Sequence, residues 1–256
     1  DTYGLSIVLG SADVTAMELC SLYSVFINNG MQYGINTRFP LKSKDPGFGK
    51  KLLTPQSAWI VKQILFKNPR PDESETEYEE GFEIGYKTGT SVGFKDCWAV
   101  GFFGRYILCV WIGNFDGLGN NSFLGRTAAA PLFFTIADSL ISRGYVEYTP
   151  NIMPEGVEKV KVCSVSGDIC NDDCPYEEET YFIPGVSPIT KCKIHRKINI
   201  DTRTGYRTDE TDAPYVKTVV REYWPSDLMA LFKQAGLPRI VPPDYPPDDL
   251  RTMALG

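Results

Sequence analysis

Apolar residues recur at helical spacing in two stretches near the start of the chain. After Thr15-Ala16-Met17-Glu18, residues Leu19, Leu22, Tyr23, Phe26 and Ile27 line one face, and Asn29-Gly30 stops the run. Thr15 and Glu18 have the spacing of a capping box, in which hydroxyl and carboxylate satisfy amide donors at a helix start. Thr54-Pro55 opens a second helix, since the missing proline N–H costs nothing in a first turn. Trp59, Ile60, Ile64 and Leu65 give its apolar side, and Asn68-Pro69-Arg70-Pro71 ends it. The pattern then changes to strands over Phe82–Thr90, Cys97–Phe103 and Tyr106–Gly113, with connections short enough for antiparallel hairpins. Val110, Trp111 and Ile112 make the third run nearly all apolar, which predicts a strand buried on both faces. A last helix is predicted from about Ala128 to Arg143, with Pro131 in its first turn and Gly144 as its stop. Helix, helix, three-strand meander and helix together predict an α+β fold, an antiparallel sheet flanked by helices.

Composition divides the 256 residues in two. Residues 1–150 hold 17 of the 23 glycines, whereas residues 151–256 hold 11 of the 18 prolines and four of the seven cysteines. A domain boundary is therefore expected near Thr149-Pro150-Asn151, followed by a small, cysteine-containing, β-rich module over 151–256. Ile198–Tyr206 and Tyr215–Tyr223 read as its strands, and Pro225-Ser226-Asp227 starts a short helix that ends at Gly236. Pro242-Pro243-Asp244-Tyr245-Pro246-Pro247 reads as an extended linker. The acidic run Asp72–Glu83 reads as a solvated loop.

The formal charge of −6 leaves no basic stripe to track phosphates, so a nucleic-acid partner is not expected. No run approaches the roughly 18 apolar residues of a membrane-crossing helix. The chain starts at Asp1 with no signal sequence, so it reads as a piece of a longer protein whose anchoring segment lies elsewhere. A single histidine, His195, argues against any multi-histidine site.

The candidate chemistry sits in Lys87-Thr88-Gly89-Thr90, on the first strand of the meander. A lysine followed by hydroxyl residues on an edge strand can hold an anion: the ammonium supplies charge and the hydroxyls supply donors. Gly89 would let another backbone approach, and an edge strand can accept an extended peptide as one more strand. Those residues describe a site for a peptide that ends in a carboxylate.

The stretch Tyr86 to Gly101 (YKTGTSVGFKDCWAVG) resembles the transpeptidase segment of class A penicillin-binding proteins of the 1C type. Trp111-Ile112-Gly113-Asn114, the run Gly125 to Pro131 (GRTAAAP) and Leu5 to Gly10 fit the same family, which covers about residues 1–145. The resemblance implies a cell-wall D,D-transpeptidase that works on the peptidoglycan stem peptide and is inhibited by β-lactams. It implies that Lys87, Thr88 and Thr90 bind the substrate carboxylate, that Gly89 belongs to the same substrate-binding strand, and that the Thr90 N–H forms one half of an oxyanion hole. The location implied is the periplasmic face of the inner membrane, reached through a segment absent from this chain, with other cell-envelope proteins as further partners.

The family's S-x-x-K and S-x-N motifs do not occur in the 256 residues, so the nucleophilic serine is expected upstream, and a glycosyltransferase domain earlier still. Ser91 has no base in its local sequence and is a weak candidate nucleophile. A non-catalytic module that binds wall peptide or a partner is the alternative. No cofactor and no metal are expected.

Cys163, Cys170, Cys174, Cys192 and His195 follow as C-x6-C-x3-C-x17-C-x2-H, similar to a cysteine-containing stretch after the transpeptidase domain in many class A proteins. Two disulfides among the four cysteines are preferred, because an oxidising periplasm favours them. Zinc held by three cysteines and His195 is the competing reading.

Overall fold

The computed structural model describes residues 4–35, 49–71 and 81–247, which form two compact units, 1–157 and 158–256. The expected boundary was Pro150. Most of the acidic run, Asp72–Glu80, lies outside the described residues.

In the first unit a 3-10 turn over Gly4–Leu9 precedes α1 (Ala16–Tyr23). The capping box forms: the Glu18 N–H donates to Thr15 Oγ1 at 3.2 Å, while the Thr15 N–H donates to Glu18 Oε2 at 2.8 Å. Asn29 and Gly30 both take positive φ after it. Only glycine suits position 30, because a Cβ there would lie 2.2 Å from the Leu53 carbonyl oxygen. Two short strands, β1 (Met31–Gln32) and β2 (Lys50–Lys51), pair before α2 (Pro55–Phe66), whose cap is Thr54 and whose first residue is Pro55.

The predicted meander follows as β3 (Ile84–Thr90), β4 (Asp96–Phe103) and β5 (Tyr106–Gly113), antiparallel in the order β3-β4-β5. A π-helical turn at Gly125–Ala129 then leads into α3 (Ala130–Ser142). Strand alternation sends Tyr86, Cys97, Ala99 and Phe103 to the α3 side, where they pack with Ala129, Phe133, Phe134 and Ala137. Phe133 is fully buried, and truncating such a side chain to alanine costs about 3–5 kcal/mol. Phe102 faces the opposite side and meets the rings of Phe26 and Phe66, so helices flank both faces of the sheet.

One expectation is corrected. The apolar run on β5 is not buried on both faces, for Val110 alone in it is buried. It stands at the edge of the three strands, whereas β4 in the centre buries six of its eight residues.

The second unit contains the hairpin β6 (Glu158–Cys163) and β7 (Glu177–Phe182). A three-stranded antiparallel sheet follows, from β8 (His195–Asp201), β9 (Arg207–Thr208) and β10 (Val216–Glu222) in the order β10-β8-β9, and then α4 (Ser226–Gln234). The proline-rich tail is docked and not a free linker. The Arg207 N–H donates to the Asp244 carbonyl at 3.0 Å, the Tyr245 hydroxyl donates to Asp209 at 2.7 Å, and the Arg207 guanidinium lies over the Tyr245 ring.

Candidate functional site

Strand register decides which groups β3 offers. Ser91 N–H donates to the Asp96 carbonyl at 2.9 Å, so 91 and 96 form a hydrogen-bonded pair. Antiparallel pairs alternate, so Lys87 and Gly89 also bond to β4, whereas the backbone groups of Tyr86, Thr88 and Thr90 turn to the free edge. At the start of that edge the Asn68 side-chain amide donates to the Tyr86 carbonyl at 2.6 Å. Further along, the amides of Thr88 and Thr90 face outward.

The side chains divide between faces. Lys87 is exposed on the α2 side, and its Nζ donates to the Thr88 carbonyl at 2.7 Å, which folds the ammonium across the open edge. Thr88 and Thr90 project to the α3 side. The Gly125 N–H donates to Thr90 Oγ1 at 3.0 Å, which leaves the Thr90 hydroxyl proton to give to another acceptor. One edge thus holds an ammonium, two hydroxyls and two outward amides, a donor set with no acid among the four motif residues.

Within the chain itself the close backbone approach is made at Gly125. A Cβ on Gly89 would meet only Trp98 Cβ at 3.8 Å, an ordinary contact. A Cβ on Gly125 would lie 2.6 Å from the Gly89 carbonyl oxygen and 2.9 Å from Thr88 Cβ. The close approach is that of the π-helical turn to the back of the motif strand. Gly125 stood in the family-like run, but nothing local to it announced this contact. Ser91 closes the hairpin, its hydroxyl accepting from the Asp96 N–H at 2.8 Å. At the same end of the sheet Val92 and Phe115 are 96% and 99% exposed, an apolar rim that sequence reasoning missed. A cavity of about 560 Å³ lined by Lys62, Phe66 and Glu83 lies elsewhere in this unit, with no motif residue in its wall.

In the second unit neither expected disulfide forms; Cys163, Cys170, Cys174 and Cys192 are all free thiols. The sulfurs of Cys163, Cys174 and Cys192 converge instead on the His195 ring, with all four ligand-type atoms within 4.8 Å of one another. Cys163 Sγ and Cys192 Sγ stand 3.3 and 3.7 Å from His195 Nδ1. His195 is 2% exposed. Burial pushes the Cys192 thiol up, but hydrogen bonds from the Ser166 hydroxyl and from the N–H groups of His195 and Ile194 outweigh it and hold the thiol below its usual range. Cys170 stands outside this group of four.

A family model, the C-terminal domain of penicillin-binding protein 1A, matches residues 153–197. Penicillin-binding protein 1C of Escherichia coli (strain K12) is 27% identical over 196 residues, 73% of this chain. The chain is related to the class A penicillin-binding proteins. The crystal structure of penicillin-binding protein 1A from Haemophilus influenzae, 17% identical, matches 73% of the chain with a TM-score of 0.57, a likeness of fold. The chain spans only part of these penicillin-binding proteins, 24% of the Escherichia coli protein and 34% of the Haemophilus chain. All of Cys163 to His195 lies within the stretch matched by the penicillin-binding protein 1A domain.

Proposed function

We propose that this chain forms the K-T-G side of a D,D-transpeptidase site in a longer protein of peptidoglycan synthesis. The substrate is a stem peptide ending in D-Ala-D-Ala, and β-lactams are inhibitors. The open edge at Thr88–Thr90 beside the Lys87 ammonium carries this reading. The peptide's terminal carboxylate meets Lys87 and the hydroxyls of Thr88 and Thr90. The outward Thr90 N–H then donates to the carbonyl oxygen as it gains negative charge, a contact worth about 3–4 kcal/mol in comparable sites. A serine outside these 256 residues attacks that carbonyl and keeps the acyl group, and the terminal D-Ala leaves as the amine.

On this reading the full-length protein works at the periplasmic face of the inner membrane, carries a glycosyltransferase domain and meets other cell-envelope proteins. The isolated chain is not acylated, since it holds neither S-x-x-K nor S-x-N. Their absence also favours a second reading, a module that binds wall peptide without chemistry. A labelling time course with fluorescent penicillin separates the two. The transpeptidase reading expects covalent label on the full-length protein and none on the isolated chain. Label on the isolated chain overturns the division of parts. A full-length protein that retains stem peptide but never takes label supports the binding module.

A further inference from the structure

The second unit has little to hold it together. Among its described residues the buried apolar side chains are Val162, Cys163, Cys192 and Ile198, and two of these four are cysteines. Small domains with so thin a core are usually stapled by disulfides or by a metal.

The geometry discriminates between the two staples. A disulfide joins sulfurs in pairs at about 2.0 Å. Here three sulfurs surround one imidazole nitrogen. Tetrahedral zinc, with bonds of about 2.3 Å to sulfur and 2.0–2.1 Å to nitrogen, places its ligands about 3.8 Å apart for two sulfurs and about 3.6 Å for sulfur and nitrogen. The separations of 3.3 and 3.7 Å from His195 Nδ1 bracket the second value. The mutual limit of 4.8 Å for all four atoms admits the first.

The surroundings suit thiolates. The Asn171 N–H donates to Cys174 Sγ at 3.3 Å. The Asn171 side chain donates to the carbonyls of Cys192 and His195 at 2.8 and 3.0 Å, tying the loop that carries Cys174 to the two later ligands. Cys163 is fixed by its N–H to the Asp168 carbonyl at 2.7 Å, and Cys192 by its N–H to the Ile169 carbonyl at 2.8 Å. Such outer contacts orient ligands and spread their charge.

We infer that Cys163, Cys174, Cys192 and His195 form a structural Zn²⁺ site that staples the second unit. This replaces the expectations of two disulfides and of no metal. Zn²⁺ displaces three thiol protons to solvent and takes the neutral Nδ1 of His195; no redox step is involved. Four protein ligands close the shell, so no position is left for a substrate.

The test uses the full chain, purified without chelator and assayed for metal. About one zinc per chain is expected, and Co²⁺ in its place should give the visible spectrum of a tetrahedral thiolate site. Cys170→Ser should keep the zinc, and Cys174→Ser should lose it. His195→Cys should keep the metal while its cobalt bands move toward those of a four-sulfur site. The inference is overturned by a folded chain without zinc, by disulfides among these cysteines in the non-reduced protein, or by zinc retained in Cys174→Ser. An unchanged cobalt spectrum in His195→Cys overturns it as well, since that variant does not rely on loss of binding.

Discussion

The Gly125 amide holds the Thr90 hydroxyl at 3.0 Å, so the turn that starts α3 is fastened to the last residue of the motif strand. The fit is close because Gly125 has no Cβ. An alanine there would press on the Gly89 carbonyl oxygen at 2.6 Å and on Thr88 Cβ at 2.9 Å. Gly125→Ala should destabilise the first unit by about 1–3 kcal/mol through overpacking. Gly89→Ala, which meets only Trp98 Cβ at 3.8 Å, should change stability by less than about 1 kcal/mol. Denaturant melts of the two variants check this order.

Lys87 carries the charge of the edge. In the full-length protein, Lys87→Ala should slow acylation by penicillin by about 10- to 150-fold, the rate equivalent of losing a charge-assisted contact of roughly 1.5–3 kcal/mol. Thr90→Val should act in the same direction but more weakly, since it removes a neutral donor. Rates of fluorescent-penicillin labelling measure both. An unchanged rate in Lys87→Ala removes Lys87 from the site.

Arg70 joins the segment after α2 to α3 through two bonds to Asp138, at 3.1 and 2.8 Å, while its guanidinium lies 4.2 Å from the Phe134 ring centre. The pair is partly buried, with 15% and 33% of the two side chains exposed. Arg70→Ala should cost about 1–3 kcal/mol, more than an exposed ion pair contributes. Arg70→Lys should recover part of that, because it keeps the charge and loses the fork. Thermal melts of both variants provide the check.

The capping box predicts a pH effect. The Thr15 backbone N–H, and after it the Thr15 hydroxyl, hold the Glu18 carboxyl below its ordinary range. A carboxylate with a lowered folded-state pKa stabilises the fold fully above the unfolded value of about 4.3, and that stability is lost as pH falls through the folded value. The gap in melting temperature between the wild type and Glu18→Gln should therefore be constant near neutral pH and shrink in acid. A gap that widens in acid contradicts the assignment.

Local signals made the first unit legible. A capping box, a Thr-Pro helix start and short hairpin connections act over a few residues, so sequence alone places α1, α2 and the meander. The second unit was less so. Half of β7 is the acidic run Glu177, Glu178 and Glu179. It pairs with β6 along its whole length, and Lys159 and Lys161 meet Glu179 and Glu177 across the hairpin, a relation no local pattern carries. The cysteine spacing marked the cluster but not which of its residues converge. That choice depends on the Asn171 turn and on the loop between β6 and β7, which bring Cys174 to His195 and leave Cys170 outside.

On the proposed reading, the Lys87–Thr90 edge receives the carboxylate of a peptide or β-lactam. A structure of the full-length protein acylated by a penicillin tests it most directly. The drug carboxylate is expected within about 3.2 Å of Lys87 Nζ or the hydroxyls of Thr88 and Thr90, with the acyl oxygen on the Thr90 N–H. A penicillin bound with its carboxylate in solvent, or with its acyl oxygen away from Thr90, would contradict it.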